Sequence, residues 1–160
     1  MKVKIKKLNE NAIVPSKGTD SAAGYDLYAL DSAVIPNGET VFVHTGVAVE
    51  IPEGYFGAIY ARSGLACKHG LRPANCVGVI DSDYRGEIMV ALHNDNRPAV
   101  SVIDSAFGSF GSNPATYTVE AGERIAQIII QKFERIEFEE VDELTDTDRS
   151  DKGFGSTGTR

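Results

Sequence analysis

From Tyr84 to His93 the chain alternates, with Tyr84, Gly86, Ile88, Val90 and Leu92 on one side and Arg85, Glu87, Met89, Ala91 and His93 on the other. A period of two belongs to a half-buried strand. Upstream, Asn75 to Ile80 forms a second extended run. In it Val77, Val79 and Asp81 face one way and Cys76, Gly78 and Ile80 the other. Between the runs, Asp81-Ser82-Asp83 carries turn chemistry, because Asp and Ser side chains bond back to nearby backbone groups. The two runs therefore read as a hairpin with Asp81, Asp83 and Tyr84 at its tip. The whole chain agrees with a sheet-rich reading. Its 160 residues hold 16 Gly and 6 Pro and no long helical periodicity, which favours short strands joined by many turns in a sandwich or barrel.

Composition narrows the function classes. The length suits one domain. Cys67 and Cys76 make no disulfide framework and read as free thiols serving packing in a cytoplasmic protein. Neither a secretory apolar core nor an 18-residue apolar run occurs, so a soluble chain without a membrane span is expected. A formal charge of -7 argues against binding a nucleic-acid polymer through a basic surface. It leaves room for a small anion held by a few converging groups.

Several segments carry candidate chemistry, each with a plain structural alternative. Asp81 and Asp83 form turns in most hairpins, and Tyr84 is an ordinary surface aromatic. Against that, Gly78 inside a strand admits the close approach of another backbone or a ligand. Asp26 lies within Thr19 to Ala29 (TDSAAGYDLYA), where a carboxylate needs a partner, such as an inter-strand cation. Arg62 to Gly70 (RSGLACKHG) reads as a short helix with Ser63 as N-cap and Gly70 as its stop. Its first N–H groups, beside Arg62, would suit an anion. Gln127 interrupts the apolar strand GERIAQIIIQ, and a buried amide there must be satisfied.

Lys2 to Leu8 suits an edge strand guarded by lysines, and Val34 to Ala61 is a run of strands broken at Pro36-Asn37-Gly38, Gly46 and Pro52-Glu53-Gly54. Residues 95–118 read as an insertion, with a Gly- and Ser-rich loop at Asp104 to Pro114 and Phe107 and Phe110 as its packing groups. Glu134 to Asp148 holds eight acidic residues in fifteen and reads as a last strand passing into a solvated spacer. The end, RSDKGFGSTGTR, has the composition of a disordered tail. It is no Walker loop, since no GKS/T follows its glycines.

Five of these segments, in this order, resemble the five signatures of the homotrimeric dUTP diphosphatases (dUTPases). They are the Asp26 segment, RSG at Arg62-Ser63-Gly64, GVIDSDYRG, GERIAQ and GFGSTG. Ala61 stands where many relatives have proline, and Ser150 and Lys152 replace two glycines of the last signature.

The resemblance implies a distorted jelly-roll or β-sandwich-like barrel with one short helix, a body over residues 1–148 and a mobile covering tail over 149–160. It implies Mg²⁺-dependent hydrolysis of dUTP to dUMP and pyrophosphate, in sites shared between chains of a homotrimer. Asp81 would be the general base. Asn75, Gly78, Tyr84 and Phe154 would hold base and sugar, and Arg62, Ser63, Gly64, Gln127, Arg149, Ser156 and Thr157 the phosphates. Asp26 would reach the metal through water. Two other readings use the same residues: a dCTP deaminase of the same fold, and a dUTP-binding regulatory module working through a protein partner.

Overall fold

The computed structural model describes residues 1–96, 116–147 and 150–151. Among these residues eleven strands and one helix follow in chain order: β1 (Lys4–Lys7), β2 (Tyr25–Tyr28), β3 (Ala33–Pro36), β4 (Thr40–His44), β5 (Val47–Glu50), β6 (Tyr55–Tyr60), α1 (Ser63–His69), β7 (Leu71–Pro73), β8 (Val77–Ile80), β9 (Met89–Asn94), β10 (Thr116–Val119) and β11 (Arg124–Lys132). All pairings are antiparallel. The larger sheets run β2-β11-β6-β8 and β4-β9-β7, and β1-β5 and β10-β3 form two-stranded sheets. The all-β expectation with one short helix holds, and among the described residues no sheet closes on itself into a barrel.

The two larger sheets share one core. Leu27, Ile59, Ile125 and Ile128 from the first meet Val43, Leu71, Val90 and Leu92 from the second. Burying a side chain of this size stabilises by about 1.5–3 kcal/mol. Along β9 the period of two is kept, with Val90, Leu92 and Asn94 buried while Met89 faces solvent. Asn94, the polar member, donates from Nδ2 to the Ile35 carbonyl at 2.9 Å. Among the described residues no buried side-chain nitrogen or oxygen lacks a partner. No helix among them is long and apolar enough to cross a membrane.

Four expectations change. The Asn75–Leu92 segment is not a hairpin, because β8 pairs with β6 whereas β9 pairs with β4 and β7. With both edges of β9 taken, none is left for β8, and residues 81–88 cross from one sheet to the other. Ser63 is the first helical residue, and the N-cap is Arg62, in extended conformation without a side-chain cap bond. Gly70 does end the helix, at φ 62°, a left-handed conformation that glycine adopts without strain. Among the described residues no strand forms beyond Lys132: residues 134–147 are exposed and outside any sheet. Both cysteines are free, but exposed rather than packed. The last three residues of the predicted insertion, 116–118, stand in β10 against β3. Phe107 and Phe110 lie outside the described residues.

Candidate active site

One group of predicted residues converges where β2, β6 and β11 meet. Gln127 pairs with Asp26 on one side and Tyr60 on the other, so Asp26 is brought beside the exit of β6, which leads to Arg62. Asp26 is largely buried and binds two cations, Arg62 Nε at 2.9 Å and Arg124 Nη1 at 3.3 Å. Arg62 also donates to the Arg124 carbonyl at 3.1 Å. The expected inter-strand salt bridge is present, with two arginines in place of one. A carboxylate this far from water is tolerable because both oxygens are paired.

Gln127 donates from Nε2 to the Ala61 carbonyl at 2.9 Å, tying β11 to the residue just before Arg62. The bond uses backbone, so alanine serves at position 61. Gly24 makes room for the amide: a Cβ there would lie 2.5 Å from Gln127 Oε1. Ser63 and Gly64 follow Arg62 in the first turn of α1, both exposed.

A second group lies on the connection between the sheets. Asp81, Tyr84, Val79, Ile80, Glu87, Phe42 and Met89 line a groove of about 200 Å³. The Tyr84 N–H donates to the Asp81 carbonyl at 3.2 Å, the turn foreseen from Asp-Ser-Asp. Asp81 is exposed at the mouth of the groove. It also borders a cleft of about 700 Å³ lined largely by charged side chains such as Glu50, Arg85 and Arg135.

Asn75 and Gly78 meet at the start of β8. Cys76 turns the chain at φ 61°, and the Val77 N–H closes onto the Asn75 carbonyl at 2.6 Å. That turn folds Asn75 back, so that a Cβ at Gly78 would stand 3.3 Å from Asn75 Nδ2. The close approach inferred from a glycine within a strand is therefore made by Asn75 and by Ile59 of β6, whose Cβ would also stand 3.3 Å away.

Among the described residues no hydrogen bond or ion pair joins the Asp81 group to the Asp26 group. Arg149, Phe154, Ser156 and Thr157 lie outside the described residues. Sequence reasoning assigned nothing to Arg124, Gly24, Gly86 or Glu87. Arg124 carried a signal, being a cation three residues before Gln127 on the same strand. Gly24, directly before the strand of Asp26, carried another.

The donor set limits how a metal is held. Among the described residues no group of three or more His, Cys, Asp or Glu side chains gathers around a common point. Both Asp26 oxygens are engaged by arginines. This chemistry fits contact with a hydrated cation through water and does not fit a cage of protein ligands.

An all-β chain with an arginine-carboxylate cluster and a separate carboxylate-tyrosine groove defines a binder of small anionic ligands. Comparison with known proteins makes this specific. The family model described as dUTPase matches residues 10–106 and 107–158. The deoxyuridine 5'-triphosphate nucleotidohydrolase of Nautilia profundicola is 44% identical over 158 residues, covering 99% of each chain. That of a Hydrogenobaculum species is 43% identical over 161 residues and the full length of both. Among solved structures, the Staphylococcus bacteriophage 80alpha dUTPase with dUPNHPP is similar at a TM-score of 0.84 and 31% identity, over 98% of each chain. The chain belongs to the dUTPase family.

Proposed function

We propose that this protein hydrolyses dUTP to dUMP and pyrophosphate in the cytoplasm, with Mg²⁺ as cofactor, in sites shared between the subunits of a homotrimer. The observation that carries the reading is the Asp26–Arg62–Arg124 cluster with Gln127 beside it, in a chain aligned over its length with dUTP hydrolases.

A water molecule attacks the α-phosphorus while Asp81 takes its proton. The new oxygen–phosphorus bond forms as the bond from the α-phosphorus to the bridging oxygen breaks, and pyrophosphate leaves with the electron pair. Such a reaction asks the protein mainly for positioning and charge stabilisation. Arg62, Ser63, Gly64 and Gln127 hold phosphate oxygens. Gln127 spends one N–H on Ala61, and its second is directed to the ligand. Arg149, Ser156 and Thr157 complete the phosphate contacts from the tail, with Phe154 closing over the base. When bound, Mg²⁺ neutralises charge on the phosphates, and Asp26 contacts its water shell.

Base choice rests on Gly78 and Asn75. The backbone N–H and C=O groups at Gly78 complement the acceptor-donor-acceptor edge of uracil, and Asn75 adds a side-chain bond. Cytosine would set a donor against a donor, and unpaired buried polar groups discriminate strongly. Tyr84 packs against the deoxyribose and excludes a 2′-hydroxyl.

Sharing of the site is supported by distance. Ile80 pairs with Gly57 and Val77 with Tyr60, so Asp81 and Arg62 flank opposite ends of that pairing. The separation is six strand steps, roughly 20 Å at about 3.3 Å per residue. Groups acting on one triphosphate cannot stand so far apart, and a second chain resolves the mismatch. Exposed apolar groups give further support: Phe42 and Val79 at the groove, and Phe138 and Leu144 beyond β11, at 94% and 87% exposure. Surfaces of this kind mark contacts with partners.

The test is pyrophosphate release from dUTP, dCTP, dTTP and UTP. Turnover of dUTP alone is expected. Ammonia release from dCTP, or dUTP binding without turnover, would contradict the reading.

A further inference from the structure

Glu87 has no role in the chemistry above, yet the bonds around it converge on the connection that carries Tyr84. Tyr84 Oη donates to the Glu87 carbonyl at 3.0 Å, which fixes the outer end of the ring. The ring lies over Gly86, where a Cβ would stand 2.4 Å from Oη and 2.6 Å from Cζ. The Glu87 carboxylate points instead to the link between β4 and β5. There Oε1 accepts the Gly46 N–H at 2.7 Å and Oε2 meets His44 Nδ1 at 2.8 Å. Gly46 is a firm anchor, since its φ is +68° and a Cβ on it would fall 2.8 Å from the Ala12 Cβ. Burial by itself would raise the Glu87 carboxyl. The hydrogen bonds from His44 and the Gly46 backbone outweigh it and hold the group below 4.5, so an ionised acceptor is present at neutral pH.

We propose that Glu87 is a positioning residue for Tyr84: its carboxylate, gripped by Gly46 and His44, fixes the carbonyl that receives the Tyr84 hydroxyl, and so sets how strongly the groove rejects ribose in favour of deoxyribose. The proposal rests on the reading of Tyr84 as the sugar platform. A purely architectural clamp is the competing role. Two other bonds already hold the same connection against the β4–β5 link, from Thr45 Oγ1 to the Ile88 carbonyl at 2.5 Å and from the Ile88 N–H to the Val47 carbonyl at 2.9 Å. The carboxylate adds to these a hold on the residue that carries the carbonyl under the ring.

The experiment measures kcat and KM for dUTP and UTP, per folded full-length protein, in Glu87→Ala, Glu87→Gln, Tyr84→Phe and Tyr84→Ala. Glu87→Ala is expected to lower the dUTP:UTP ratio of kcat/KM about tenfold, the scale of a lost buried hydrogen bond. The change should come mainly through a higher KM for dUTP. Glu87→Gln should keep most of the ratio, because an amide oxygen can still accept from Gly46 and its N–H can donate to His44. Tyr84→Phe, which keeps the ring and removes its tie to Glu87, should lower the ratio in the same direction and serves if Glu87→Ala does not fold. A Glu87→Ala protein that melts earlier with an unchanged ratio would overturn the proposal alone, as would an unchanged ratio in Tyr84→Phe. An unchanged ratio in Tyr84→Ala would overturn the sugar-platform reading and the proposal with it.

Discussion

Asp81 and Arg62 stand at opposite ends of the antiparallel pair formed by β6 and β8, one just past the Ile80–Gly57 pairing and the other just past Tyr60–Val77. About six strand steps, roughly 20 Å at about 3.3 Å per residue, separate them. This is the basis of the proposal that each site draws its base from one chain and its clamp from another.

Asp81→Asn should bind dUTP with near-native affinity and lower turnover by about 10²- to 10⁴-fold, the usual worth of a positioned general base. Single-turnover kinetics decide it. A near-normal rate would reduce Asp81 to a turn former.

Asp26→Ala leaves Arg62 and Arg124 without their shared carboxylate. Stability should fall by about 1–3 kcal/mol, the cost of stranding partly buried polar partners, read as a lower denaturation midpoint. kcat/KM for dUTP should fall more than tenfold, because Arg62 is no longer aimed. Unchanged kinetics in a destabilised protein would make the cluster architectural.

Gly24→Ala should displace the Gln127 amide, since the new Cβ would overlap Oε1. Its kinetic defect should match that of Gln127→Ala, and the double variant should be no worse than either single one, as for residues acting through one contact. Additive losses would show that Gly24 acts elsewhere.

Glu87 predicts an acid dependence of stability. Its folded value lies below the 4.5 of the free group, so its contribution is complete above about pH 4.5 and is lost as pH falls through the lowered folded value. The stability gap between the native protein and Glu87→Gln should close as pH falls below 4.5 and through the lowered folded value. A gap that widened on acidification would contradict the assignment.

The strands were legible from the sequence because period and punctuation agree locally: β9 alternates as read, and Gly46 breaks β4 from β5. Pairing was not. A turn at Asp81-Ser82-Asp83 between two extended runs looks the same whether the runs pair or cross between sheets, and the choice belongs to β4 and β7, which occupy both edges of β9. The site shows the same split. Asp26 and Gln127 were legible because a charge or amide in an apolar strand needs a partner, and Arg62 because it stands beside the start of a short helix. Glu87 was not, because an acidic residue at an outward position resembles any solvated charge until the Gly46 N–H is brought to it.

The most direct test of the shared site is to unfold and refold Asp81→Asn and Arg62→Ala chains together in equal amounts. Each parent alone should be nearly inactive. With base and clamp drawn from different chains of a closed, symmetric oligomer, about a quarter of the sites receive both intact groups, and about a quarter of native activity should return. A mixture no more active than its parents, with subunit exchange verified by mass, would mean that Asp81 and Arg62 of a single chain serve the same site.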